Sequence, residues 1–165
     1  MMTQEGQTAT LEGSNSAHVE SVPLQTFKRS YTQILAGADP WIPLGNFMHQ
    51  FFGYYKQYRA ELVHEPLEAP ENLSPEHFQW AVFCAASVEH LCKKYEIPCP
   101  NWALDPRYTL EEPWYYDMNA DLPEVQEDLR QTTPEEFSRR NIFCGDRTYR
   151  NKYEYKGRQG RRKTA

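Results

Sequence analysis

The sequence predicts an all-α fold: a compact bundle of about three main helices, with shorter C-terminal helices and an extended segment rich in Pro and aromatic residues. Three observations carry that expectation. Between Leu24 and Tyr95, apolar residues recur at spacings of three and four, the mark of buried helix faces. Helix start signals, Ser74-Pro75-Glu76 above all, stand where those stripes begin. After Ile97, prolines recur too often for a regular helix or a central strand.

The first helix is expected from Leu24, Phe27, Tyr31, Ile34 and Leu35, with Gly37 as its stop and Asp39-Pro40 as the following turn. A second helix should start between Trp41 and Leu44 and run to about Val63. Its main stripe is Leu44, Phe47, Met48, Phe51, Tyr55, Tyr58 and Leu62. Gly53 in its middle costs about 1 kcal/mol against Ala, and a close crossing by another helix would account for it. Residues 64–73, with Pro66 and Pro70, read as a loop. The third helix runs from Ser74-Pro75 to about Tyr95 and is apolar on two faces, which places it between neighbours.

Residues 97–123 are expected to lie extended across these helices. Helix resumes near 122–131, and Thr133-Pro134-Glu135-Glu136 has the spacing of a capping box for a short helix through about Arg140. Asn141 to Gly145 fits a turn or a short β segment. The chain thus divides into a polar N-terminal tail over 1–22, expected to be disordered, a single helical domain over 23–145, and a basic tail over 146–165.

Composition supports a packed core. Aromatics form 14% of the 165 residues, with eleven Tyr, eight Phe and four Trp. Each buried ring removes about 150–250 Å2 from water. No stretch has the apolar length of a membrane span, and residues 1–22 lack the apolar core of a secretory signal, so a cytoplasmic location is expected.

The net charge of −5 hides an asymmetry. Residues 139–165 hold ten bases against Asp146 and Glu154, a net +8, whereas residues 1–138 carry −13. In the stretch from Arg147 to Lys156, bases interleave with Tyr149, Tyr153 and Tyr155. Two readings stand. The aromatics could stack on bases while Arg147, Arg150, Lys152, Lys156, Arg158, Arg161, Arg162 and Lys163 meet phosphates. Alternatively, the Tyr side chains dock the tail onto the acidic body.

Signals for chemistry are few. Glu61 and His64 share the Glu-x-x-His spacing of di-iron carboxylate helices, yet those need two such pairs and two further Glu. Cys92, Cys99 and His90 lack an evident fourth zinc ligand. Cys144 is the one cysteine expected to be exposed, with no His assignable to it. No cofactor, metal site or catalytic residue is expected. The segment from Trp102 to Tyr116 either caps the core or forms a partner-binding surface, with Arg107, Trp114 and Tyr115 as anchors of the types that dominate interfaces.

Trp102-Ala-Leu-Asp-Pro-Arg-Tyr-Thr-Leu-Glu-Glu-Pro-Trp114, followed by Thr133-Pro-Glu-Glu-Phe-Ser-Arg-Arg-Asn-Ile-Phe143, resembles a pattern in small bacterial helical proteins. Some of these are encoded beside nucleotidyltransferase-like proteins and are suspected antitoxin-type partners. The resemblance covers roughly residues 101–144 and brings no catalytic residue. The function expected from the residues themselves is a non-enzymatic interaction module of the bacterial cytoplasm that offers Arg107, Trp114, Tyr115, exposed Arg139 and Arg140, and Phe143 to another protein, with an antitoxin-type partner as the form the resemblance implies. Nucleic-acid binding through the basic tail is the alternative.

Overall fold

The structure, a computed structural model, describes residues 23–154. Over that range the chain is predominantly helical, with six α-helices and one pair of two-residue strands. Helix α1 spans Phe27–Leu35. Thr26 caps it, its hydroxyl accepting from the Arg29 N–H at 3.0 Å, and Gly37 leaves the helix at φ 104°, a conformation that favours glycine. Helix α2 is Trp41–His49 and α3 is Arg59–His64. Helix α4, Pro75–Tyr95, begins as the sequence predicts. The Ser74 hydroxyl accepts from the His77 N–H at 3.1 Å, and Pro75 occupies the first turn. Every residue from Trp80 to Val88 is buried, because α4 is covered by α1 on one side and by α6 and a 3-10 turn on others.

The second predicted helix is not continuous. A π-helical turn, Gln50–Tyr54, follows α2, and Tyr55 leaves helical geometry before a 3-10 turn at Lys56–Tyr58 leads into α3. Within the π turn, Gly53 lies against an aromatic ring. That ring belongs to Tyr153: a Cβ on Gly53 would lie 2.6 Å from its Cε1 and Cζ atoms. The close neighbour of Gly53 is therefore a side chain from the C-terminal segment, not another helix.

Beyond α4 the chain runs through a 3-10 turn at Asn101–Leu104, strand β1 at Trp114–Tyr115, helix α5 at Pro123–Thr132, helix α6 at Glu135–Ser138 and strand β2 at Ile142–Phe143. Side chains staple this half to the helices. The Trp102 indole does so by donating to the Val63 carbonyl at 3.2 Å, while within this half the Asn141 amide donates to the Leu110 carbonyl at 2.6 Å. The two strands run parallel, with Trp114 beside Ile142 and Tyr115 beside Phe143.

The capping box does not form. The Thr133 hydroxyl donates to the Leu129 carbonyl at 2.6 Å and accepts from the Gly145 N–H at 2.8 Å, while Glu136 turns to α4. A partner twelve residues away wins over the local one, because it satisfies a buried N–H that has no strand neighbour.

Packing continues past residue 145, where the helical domain was expected to end. Tyr149 is buried, with its hydroxyl bonded to that of Ser87 on α4 and its ring stacked near Phe83. Tyr153 covers Gly53 and bonds His49 Nδ1 at 3.1 Å, and the Tyr95 hydroxyl donates to the Glu154 carboxylate at 2.7 Å. Residues 146–154 thus form a strap across the bundle. The N-terminal tail over 1–22 and the bases Lys156, Arg158, Arg161, Arg162 and Lys163 lie outside the described residues.

Candidate interaction surfaces

Strand alternation sorts the aromatic segment onto two faces. On one, the parallel register sets Tyr115 beside Phe143, and their rings stack with centroids 5.0 Å apart and planes 20° apart. Both are half-buried. Arg130 of α5 closes this platform, donating from Nε to the Tyr115 hydroxyl at 2.8 Å with its guanidinium 5.3 Å from the ring centre. Arg130 also pairs with Glu127 at 3.0 Å, one turn earlier on α5. Tyr115 and Phe143 were expected at a partner surface and are brought together. Arg130 was not foreseen, since nothing in a polar helix singles out the one residue that reaches a distant ring.

On the other face, Trp114 and Tyr116 join Trp41 and Trp80. Trp80 meets Trp114 edge-on at 5.3 Å, and the Trp41 indole donates to the Tyr116 hydroxyl at 2.5 Å. Trp114 is therefore anchored toward the core and serves as a support for the surface. Next to this cluster opens a groove of about 530 Å3, lined by Trp41, Tyr116, Asp117, Met118, Cys144, Arg147 and Thr148. Met118 stands 99% exposed at its edge. The Cys144 thiol is pushed up to about 11 by burial, so it is a neutral thiol at physiological pH.

The remaining predicted anchors do not join the platform. Arg107 is exposed but pairs with Asp105 at 3.4 Å and lies over the Tyr108 ring, beside Leu73 and Phe78. Arg139 is exposed and paired with Glu89 of α4. Arg140, expected to be exposed, is 4% exposed and is a core residue. It donates to the Glu89 carboxylate at 2.6 Å, the Glu136 carbonyl at 2.7 Å and the Ala103 carbonyl at 2.6 Å, tying α4, α6 and the 3-10 turn together. Two adjacent arginines in a sequence look alike, but in the turn after α6 one goes to solvent and one inward. Burial alone would raise the Glu89 carboxyl, yet the hydrogen bonds from Arg139 and Arg140 hold it below its ordinary value. Glu136 is likewise held low against burial, by its own backbone N–H, Lys93 and His90.

The strap resolves its interleaved pattern into two sides. Tyr149 and Tyr153 face the bundle and are not free to stack on bases. Arg147, Arg150 and Lys152 are exposed, with no ion-pair partner among the described residues. Glu61 and His64 sit on α3 as exposed neighbours. The Cys92 thiol is pushed up to about 12, mainly by burial, and among the described residues no group of three or more His, Cys, Asp or Glu is arranged to hold a metal ion. No described helix is long and apolar enough to cross a membrane. Searches of protein families, curated proteins and solved structures find no match to this chain.

Proposed function

We propose that this protein is a non-enzymatic protein-interaction module, with the Tyr115–Phe143–Arg130 platform as its anchor for another protein. The observation that carries this reading is the platform itself: two stacked, half-exposed rings under a guanidinium, on a surface held rigid by the Trp80 cluster. Tyr and Arg are the residue types that dominate binding energy when a partner covers them, and a rigid platform loses little freedom on binding. The narrower reading, a neutralising partner of a toxin-like enzyme in the bacterial cytoplasm, is supported by the resemblance of residues 101–144. The neutral Cys144 thiol fits a binding role better than nucleophilic chemistry.

The test is co-purification from the host with tagged full-length protein and with Tyr115→Ala and Arg130→Ala variants. Each variant should weaken capture of a dominant protein partner by about tenfold or more, consistent with a lost hot spot. Unchanged capture by both would end this reading.

A second reading has its own observation: Arg147, Arg150 and Lys152 face outward along the strap without ion-pair partners among the described residues. With Tyr149 and Tyr153 turned inward, such a strap would meet a nucleic-acid backbone through charge alone. Binding would then fall steeply between about 50 and 200 mM salt. Affinity flat across that range would exclude it.

A further inference from the structure

We propose that the groove beside Trp41 and Tyr116 is the site of self-association, occupied by the same groove edge of a second copy of this chain in a two-fold symmetric dimer. This goes beyond the platform reading and uses different residues. The groove carries, within one small surface, every element that a self-complementary interface needs. Met118 is an apolar side chain 99% exposed, while the adjoining wall offers Trp41, Tyr116 and the neutral Cys144 thiol. A projecting thioether next to an aromatic floor is a knob beside a hole. In a two-fold interface the patch meets itself, so each Met118 can enter the other copy's groove. Methionine suits this role because its flexible, polarisable side chain packs well against aromatic edges.

The charges are arranged in the same sense. Asp117 and Arg147 stand among the groove-lining residues, both exposed, and neither has an ion-pair partner among the described residues. Asp117 accepts from the Asn119 N–H at 2.8 Å, which fixes the carboxylate in place. A two-fold axis through the groove edge sets Asp117 of each copy against Arg147 of the other. Because the groove lining carries both signs, the pairing is reciprocal; a lining of one sign would repel its own copy.

The test uses the purified full-length chain, with mass measured by light scattering or sedimentation across a concentration series. The wild type should pass from monomer to dimer with rising concentration. Met118→Asp should raise the dissociation constant by about tenfold or more, with thermal stability unchanged because the side chain is in solvent. Asp117→Arg and Arg147→Asp should each weaken association by about ten- to a hundredfold, since each then faces its own copy with like charges. Mixed one to one, these two variants should recover dimer, because both cross-pairs again have opposite signs. A wild type that stays monomeric throughout would overturn the proposal. So would a dimer that ignores Met118→Asp, or charge variants that do not complement each other. A dimer lost only when residues 155–165 are removed would also overturn it.

Discussion

Helices α1–α4 and the chain from Ile97 to Glu154 are held by different means. In the first region, long apolar stripes bury themselves against one another, and α4 alone has an unbroken buried run from Trp80 to Val88. In the second, helices are short, strands have two residues each, and the structure depends on single side chains. Trp102, Arg140, Tyr149 and Tyr153 each reach a named atom or ring on the other half, while Asn141 ties the second half to itself through the Leu110 carbonyl. The first region stands on area removed from water, spread over many residues. The second stands on a few anchors, so it should fail in discrete steps.

The largest step should follow loss of Tyr149. Tyr149→Ala empties a core position beside Phe83 and leaves the buried Ser87 hydroxyl without its partner, an expected loss of about 4 kcal/mol by denaturant titration. Tyr149→Phe keeps the packing and should cost about 1–2 kcal/mol. Next comes Arg140→Met, which strips Glu89, the Glu136 carbonyl and the Ala103 carbonyl of a donor and should cost about 3 kcal/mol. Arg139→Met, at an exposed position, should cost under about 1 kcal/mol. Equal losses from the two arginines would erase the distinction between an internal tie and a surface pair.

Gly53→Ala tests the junction between the regions. The new methyl must displace the Tyr153 ring, and about 1–3 kcal/mol should be lost. Hydrogen exchange should show the strap loosened and α4 little affected, and adding Tyr153→Ala should make the Gly53 substitution nearly neutral. The smallest effect is on the acid limb of stability. Glu89 is held below its ordinary value of 4.5, so the folded protein binds fewer protons there than the unfolded chain. Its contribution is whole above that pH and is lost as pH falls through the lower folded value. Arg140→Met should therefore flatten the decline between about pH 5 and 3, measured as midpoint against pH.

The same division explains what could be read from the sequence. The extent of α4, its Ser74 cap and its two buried faces were legible, because periodicity and capping are local properties. So was the start of α5 near residue 122. The break inside the second predicted helix was not, and the Tyr153 ring that packs on Gly53 there lies a hundred residues further on. Thr133 and Glu136 spell a capping box, but tertiary partners claim both side chains. At the candidate surface, Tyr115 and Phe143 stood out in the sequence, and the strand register brings their rings together. Arg130 and Met118 did not stand out, because one matters through a partner on another element and the other through exposure alone. Arg139 and Arg140 lie just past a four-residue helix, where no periodic signal tells which of them faces inward.

The strap also sets an order of events during synthesis. Helices α1–α4 leave the ribosome well before Tyr149 and Tyr153, which fill the gap next to Ser87 and cover Gly53. A bundle formed before those residues emerge would hold an unfilled aromatic slot and an uncovered π turn, surfaces open to a chaperone or to a neighbouring chain. Completion of the fold is thus timed to a late stretch of the message, and a ribosome that stalls upstream of that stretch displays a bundle with its side open.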